Sequence, residues 1–552
     1  MRMLKRGKDY NEVYNNFRWK ISKFYNIAQE ACDKWAKDKY RLCLIYEDEK
    51  GNIEKYSFWE MKKLSNKFAN ALRAHDINRL DRVGVLLGQR PETLISQLAI
   101  FKLGAISVPL FTLFGPDALE YRLKDSGAKA VITDSDNIEK IISIKDNLPA
   151  LKYIICTGPE IVKDTLSFTD LIDKGSSDFR IEKTKADDPA VIIYTSGTTG
   201  PPKGALHAHR VLLGHLPGVE FFHNFFPQRG DLYWTPADWA WIGGLFDVLF
   251  PSLHYGIPVL AFRARKFDPE YAFYMMAKHG VRNVFMPPTA LKMMRNVPKP
   301  RKKFPDLNLR TIGSGGETLG EETLNWGIEN LGVIINEFYG QTECNLVIGN
   351  CSEIMPVKPG SMGRPIPGHV VEVIDEKGTV LPPGEIGEIA VRKNDPVMFL
   401  GYWKKPDATE EKFVGDWWTM TDLARKDEDG YFYFVGRKDD VISSAGYRIG
   451  PGEIEDTLLK HPAVALSAVI GKPDSLRGEI VKAFVVVKEG FQPTKELSKE
   501  LQEFVKERLS AHEYPREIEF VKELPMTATG KIKRAELKQL EIEKLKKEQQ
   551  KR

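Results

Sequence analysis

Between the apolar run Ala190-Val191-Ile192-Ile193 and Gly204 the chain reads Tyr194-Thr195-Ser196-Gly197-Thr198-Thr199-Gly200-Pro201-Pro202-Lys203. Small, hydroxylated and glycine residues closed by a lysine are what a backbone needs to wrap an anion. Glycine permits positive φ and close approach, Ser and Thr hydroxyls donate to oxygens, and Lys203 adds a mobile positive charge. The chemistry is phosphate binding, though not by a Walker loop. Counted from Gly197, that pattern needs glycine at 202 and Ser or Thr at 204, where the chain has Pro202 and Gly204. Taken alone, the stretch reads equally as a Gly/Thr-rich surface turn joining a strand to a helix.

Other polar groups follow in order. Ser314-Gly315-Gly316-Glu317-Thr318 lies beyond a strand-like segment, where an open α/β sheet binds ligands. Tyr339-Gly340-Gln341-Thr342-Glu343 sets a ring, a hydroxyl and a carboxylate together, suited to a base, a phosphate and a hard cation. Thr419-Met420-Thr421-Asp422 supplies an acid able to accept from two ribose hydroxyls. Gly436-Arg437-Lys438-Asp439-Asp440 and Ser444-Ala445-Gly446-Tyr447-Arg448 fall where the texture of the sequence changes, and Pro525 to Lys531 is a turn presenting one lysine. His207-Ala208-His209 resembles a metal pair, but histidines at i and i+2 diverge on a helix.

The elements that must hold these groups alternate strand and helix through the first half. Strands are expected at 83–87, 106–110, 130–133, 191–194, 259–262 and 284–286, with helices at 92–103 and 119–125 between the first of them. Such alternation argues for parallel sheets covered by helices. From about Gly360, short strands (370–374, 387–392) separated by turns suggest a small antiparallel β-barrel or sandwich, taken as 345–436. Beyond Gly436 a compact α+β segment of about 110 residues, with helices at 451–460 and 494–510, is large enough to fold by itself. The expected division is therefore 1–436, then 437–545, then a charged tail at 546–552.

At 552 residues the chain exceeds one core. With 80 basic against 76 acidic residues, no strong field points to nucleic acid or membrane, and no uninterrupted apolar run of about 18 residues offers a bilayer span. Five cysteines, odd in number and without metal-ligand spacing, fit a reducing cytoplasm. The Lys/Glu enrichment is of a kind found in heat-adapted proteins.

These blocks, in this order and over nearly the whole chain, resemble the adenylate-forming superfamily of acyl-CoA synthetases, nonribosomal-peptide adenylation domains and firefly-type luciferases. The resemblance implies two steps, in which a carboxylate attacks the α-phosphate of ATP and a thiol then displaces AMP, with ATP, Mg²⁺ and coenzyme A required. Thr195, Ser196, Gly197, Thr198, Thr199 and Lys203 would hold the β- and γ-phosphates, Thr342 the α-phosphate, and Glu343 the Mg²⁺. Tyr339 would stack on adenine with Gly316, Glu317 and Thr318 along its edge. Gly340 and Gln341 belong to the same nucleotide-binding block, and Asp422 and Arg437 would bind ribose. Lys531 would bridge the carboxylate and the α-phosphate, Arg448 would contact phosphate, Asp439 would be the hinge of a mobile C-terminal domain, and Gly446 would line the pantetheine tunnel.

Within the superfamily the blocks after Gly436 are most similar to acetyl-CoA and medium-chain acyl-CoA synthetases, archaeal short-chain enzymes acting on butyrate, 2-methylbutyrate and 4-hydroxybutyrate among them. Trp239, Trp241, Ile242, Gly243 and Gly340 would then line the acyl pocket. Acetyl-CoA synthetases carry tryptophan at the position of Gly340 and threonine at that of Gly243, so hydrogen at both is expected to open a volume of several methylenes, each worth about 0.8 kcal/mol when buried. The expected substrates are acids of about C3–C8, with acetate or propionate, or a carrier protein as acceptor, as alternatives. The partners are these small molecules and, as an open expectation, a second copy of the chain.

Overall fold

The computed structural model describes residues 2–158, 162–195, 201–262, 266–438, 440–444, 447–474, 478–508, 514–527 and 531–550. Two mostly parallel sheets form the body. One has eight strands in the order Gly401–Tyr402, Lys203–Ala208, Pro189–Thr195, Ile106–Pro109, Arg82–Leu86, Ala130–Asp134, Tyr153–Thr157 and Leu166–Ser167. The other has nine, from Arg364–Pro365 through Cys344–Gly349, Ile335–Gln341, Thr311–Gly315, Asn283–Phe285, Tyr233–Trp234 and Val259–Ala261 to the antiparallel pair Leu42–Glu47 and Ile53–Ser57. Inner strands such as Arg82–Leu86, Ile106–Pro109, Ala130–Asp134 and Val259–Ala261 are short runs buried on both faces, as parallel sheets covered by helices require.

Helices Pro91–Lys102 and Val211–Phe222 are buried along almost their entire length. A helix apolar all round belongs in a core, and one continuous apolar cluster includes residues of both helices and both sheets. Buried Lys102, the last residue of the first of these helices, is neutralised by Asp33 at 2.8 Å and bonded to Ser65 and Asn66 at 2.9 and 2.7 Å.

The expected barrel is an open antiparallel sheet of five strands, Val371–Ile374, Ile386–Arg392, Trp417–Lys426, Phe413–Val414 and Phe432–Arg437, with no closing pair among the described residues. It also starts later than expected. Cys344–Gly349 and Arg364–Pro365 pair into the nine-stranded sheet, because the hairpin around Glu343 continues Ile335–Gln341 rather than beginning a new unit. A last sheet of Tyr447–Ile449, Ile442–Ser444, Gly478–Val487, Val464–Asp474 and Glu517–Phe520 carries helices Pro451–Leu459, Lys495–Arg508 and Arg534–Gln550. Leu497, Leu501 and Val505, four residues apart, bury one face of the second of these helices. Among the described residues no helix is long and apolar enough to cross a membrane.

One local expectation fails. Lys203–Ala208 is a strand antiparallel to Pro189–Thr195, so the glycine-rich segment is followed by a return strand and not by a helix. His207 therefore lies on a strand, and the helical argument applied to the pair with His209 does not hold. Both rings are buried, His207 facing Phe399 and His209 facing Phe101 while accepting from the Ile27 N–H at 3.3 Å.

Candidate active site

The hairpin register sets Thr195 opposite Lys203 and so joins the two ends of the phosphate-loop candidate. Thr195 Oγ1 donates to the Lys203 carbonyl at 3.3 Å. Ser196, Gly197, Thr198 and Thr199 lie outside the described residues. On its other edge the strand Lys203–Ala208 pairs with Gly401–Tyr402. That pairing stands the Lys203 ammonium 5.2 Å from the Tyr402 ring centroid, and the Tyr402 hydroxyl donates to Glu343 Oε1 at 2.7 Å. Glu343 Oε2 makes no hydrogen bond among the described residues. One carboxylate oxygen left unbonded by the described residues suits Mg²⁺, which binds through one or two carboxylates plus substrate phosphates rather than in an all-protein cage. No group of three potential metal ligands occurs among the described residues.

Asp422 and Arg437 face each other across the antiparallel strands Trp417–Lys426 and Phe432–Arg437. The Asp422 carboxylate accepts from the Tyr339 hydroxyl at 2.6 Å and from Gln341 Nε2 at 2.6 Å, with Arg437 Nε at 4.0 Å. Burial pushes the Asp422 carboxyl up, against the pull of Tyr339, Arg437, Gln341 and Lys531. Glu317, just beyond strand Thr311–Gly315, accepts from Thr289 Oγ1 at 2.8 Å, and Gly316 before it has φ +96°, which side chains rarely adopt. Thr318 and Thr342 are half-buried.

Lys531 enters this group from the last sheet's side of the molecule. Its turn is closed by Thr527 N–H to the Lys531 carbonyl (2.7 Å) and Lys531 N–H to Thr527 Oγ1 (3.0 Å). The ammonium lies 5.9 Å from the Trp241 ring centroid. Burial lowers its pKa below the ordinary lysine value, while Glu317, Asp422 and Glu343 act to raise it and Arg437 lowers it further. Lys531 is half-buried, within electrostatic reach of Glu317, Asp422 and Glu343. Lys460 of the same lobe reaches Glu321 at 3.3 Å. Arg448 sits in strand Tyr447–Ile449, its side chain outside the described residues, as are Asp439 and Gly446.

The acyl-pocket expectations need correction. A Cβ on Gly243 would lie 3.0 Å from Phe285 and 3.1 Å from Trp241, and one on Gly316 would lie 3.3 Å from the far edge of the same indole. The two glycines form a slot that Trp241 fills, so hydrogen at Gly243 does not leave open space. At Gly340 a Cβ would lie 2.5 Å from Asn345 Oδ1 and 2.9 Å from Asn345 Cα. The volume expected there is taken by Asn345, whose amide donates to both Asp247 oxygens (2.9 and 3.1 Å) and faces His215 Nε2 at 3.2 Å. Trp239 and Ile242 are buried.

Several contributors carry no sequence signal. Tyr402, Thr289 and Asn345 are single residues outside any glycine-rich or charged pattern; strand pairing brings in Tyr402 and Asn345, and helix Pro288–Met294 carries Thr289. Lys412 is another; its amine lies 3.4 Å from Thr421 Oγ1, and burial lowers its pKa despite nearby Glu388 and Glu343.

The family model described as AMP-binding enzyme matches residues 29–403, and the AMP-binding enzyme C-terminal domain matches 453–531. The chain belongs to the AMP-binding enzyme family. It is 36% identical to the acetyl-coenzyme A synthetase of Bacillus subtilis over 97% of this chain and 95% of that protein. Human mitochondrial acyl-coenzyme A synthetase ACSM2B is 37% identical over 94% of this chain and 91% of its own length. Among solved structures, the anthranilate CoA ligase AuaEII in complex with anthranoyl-AMP superposes with a TM-score of 0.87 at 28% identity, covering 94% of this chain and 98% of that one. An acyl-CoA synthetase from Brucella canis gives 0.75 at 33% identity, covering 98% and 100%. This AMP-binding enzyme is thus a ligase of the acyl-CoA synthetase family, whose members use ATP, Mg²⁺ and coenzyme A.

Proposed function

We propose that the chain converts a short- to medium-chain carboxylic acid of about C3–C8, 4-hydroxybutyrate and branched acids included, to its CoA thioester through an acyl-adenylate. The observation that carries this reading is the half-buried Lys531 ammonium, 5.9 Å from the Trp241 ring centroid and within electrostatic reach of Glu317 and Asp422. In the first step a carboxylate oxygen bonds to the α-phosphorus and pyrophosphate leaves with the electron pair of the broken P–O bond. Lys531 holds both anions together, Thr342 contacts the α-phosphate, Tyr339 stacks on adenine, and Asp422 with Arg437 binds ribose. The Thr195–Lys203 loop holds the departing phosphates. Glu343 would hold Mg²⁺, which would supply positive charge to the phosphate oxygens.

In the second step residues 437–545 turn about Asp439, Lys531 leaves, and Gly446 lines the path along which the thiol reaches the acyl carbon and AMP departs. Arg448 contacts phosphate in the first pose. A small acid is supported by the crowding of Trp239, Trp241 and Phe285 and by Asn345 closing the face of Gly340. A cytoplasmic setting is supported by five buried free cysteines.

The test is ATP-dependent AMP and pyrophosphate release over straight, branched and 4-hydroxy acids, with free CoA or a pantetheinylated carrier protein as acceptor. The reading expects a maximum within the stated chain lengths and free CoA as the acceptor. Strict acetate preference, or transfer only to the carrier, refutes it.

A further inference from the structure

The turn that presents Lys531 is held by short-range bonds, among them Lys533 N–H to the Pro525 carbonyl at 2.8 Å. Met526 and Ile532, on either side of the lysine, pack against the cluster of Ala468, Ile470 and Phe484, and a polar tie to the lobe follows at Arg534. Arg534, the first residue of helix Arg534–Gln550, forks onto Glu455 with Nε to Oε1 at 3.0 Å and Nη2 to Oε2 at 2.5 Å. Glu455 is buried on helix Pro451–Leu459, and its Oε1 also accepts from the Val469 N–H at 2.8 Å, while Ser467 Oγ donates to the Glu455 carbonyl at 3.1 Å. The carboxylate is therefore tied into strand Val464–Asp474. The remaining nitrogen, Nη1, stands 3.8 Å from Asp440 Oδ2, in the segment by which the chain passes from Phe432–Arg437 into the last sheet.

We propose that Arg534 is the positioning residue of Lys531. Its planar fork fixes the lysine turn against helix Pro451–Leu459, and its reach to Asp440 ties that turn to the crossing between the lobes. Lysine cannot substitute, because a point ammonium makes neither the bidentate contact nor the third one. The proposal rests on the role given to Lys531 in adenylation. A displacement of about 1 Å at a reacting group costs about 10²-fold in rate, so loss of the fork is felt in the step that uses Lys531 and not in the one that follows its departure.

The test compares Arg534→Lys and Arg534→Ala with wild type in two assays. One is ATP–pyrophosphate exchange with the acid that wild type exchanges fastest. The other is thioester formation from the matching supplied acyl-adenylate and CoA. Arg534→Lys is expected to lower exchange about 10-fold or more and to leave thioester formation within about 3-fold. Glu455→Gln is expected to do the same, and the double variant to lose no more than either single one. Equal loss in both half-reactions, or no loss in exchange, overturns the proposal. If wild type exchanges with no acid, the functional reading falls instead. Hydrogen exchange over 531–537 then still decides whether Arg534 holds the turn: faster exchange there in Arg534→Lys supports it, and unchanged exchange overturns it.

Discussion

Substituting Gly340 by tryptophan tests the revised acyl wall directly. Along the Cα–Cβ direction the first new atom would meet Asn345 Oδ1 at 2.5 Å, Asn345 Cα at 2.9 Å and Leu346 Cα at 3.0 Å. Two of these three are backbone atoms in a central strand and cannot swing aside. Overpacking of this kind costs about 1–3 kcal/mol. Displacing the Asn345 amide also strips the buried Asp247 carboxyl of its donor, which costs about 1–3 kcal/mol more. The expected loss, about 2–6 kcal/mol, is a large part of the roughly 5–15 kcal/mol that keeps a protein folded. Urea denaturation of wild type, Gly340→Ala and Gly340→Trp should show lowered midpoints for both variants, with tryptophan the worse. Adding Asn345→Gly to Gly340→Trp should recover part of the loss, a coupling that independent sites do not show. A Gly340→Trp protein with the wild-type midpoint and a switch to acetate would mean that Asn345 is not the wall and that the space is open.

Three further outcomes are expected. Lys531→Ala lowers adenylation by about 10²–10³ and spares thioester formation from supplied acyl-adenylate; stopped-flow or radiolabel assays of each half-reaction check this, and joint loss counts against it. The protonated Lys531 is the active form and its pKa is depressed, so ATP–pyrophosphate exchange should fall as pH rises through a value below the usual 10.5. Glu317→Gln removes the acid that most raises that pKa and should move the alkaline limb to lower pH; a limb that stays or rises contradicts the assignment. Glu220, whose carboxylate accepts from the Met3 and Leu4 N–H groups at 2.7 Å, is pushed by burial from 4.5 to about 7. The raised folded value means its contribution is fully present below about pH 4.5 and lost as pH rises through about 7, a change of about 3 kcal/mol. Unfolding midpoints should therefore fall over that window in wild type and less in Glu220→Gln.

The parts of the fold legible in the sequence were those set by local pattern. Apolar runs such as Val83-Gly84-Val85-Leu86 and Ala130-Val131-Ile132 needed only short buried strands, and Leu497, Leu501 and Val505 only helical spacing, so these elements appear within a few residues of expectation. Pairing is a long-range property and was not legible. Nothing local at Lys203–Ala208 distinguishes a helix start from a return strand, and nothing near residue 345 says that the chain is still in the nine-stranded sheet. The site followed the same division. Glu343, Asp422 and Lys531 stood in recognisable blocks, whereas Tyr402 and Asn345 gained their places from strand register. The glycine argument at 243 and 340 erred because an absent side chain opens space only if no neighbour claims it.

Arg437 has two occupations. Its side chain faces Asp422 across the hairpin, while its carbonyl accepts from the Asp440 and Val441 N–H groups at 2.9 and 3.0 Å where the chain leaves the sheet. Under the proposed function, one residue serves as the end of the nucleotide cradle and the first link of the passage to the last lobe. For protein engineering this means that nucleotide preference and the timing of lobe movement share a component. Substitutions at Asp422 or Arg437 selected for a different nucleoside will arrive with an altered turnover rhythm, and the two traits will have to be optimised jointly.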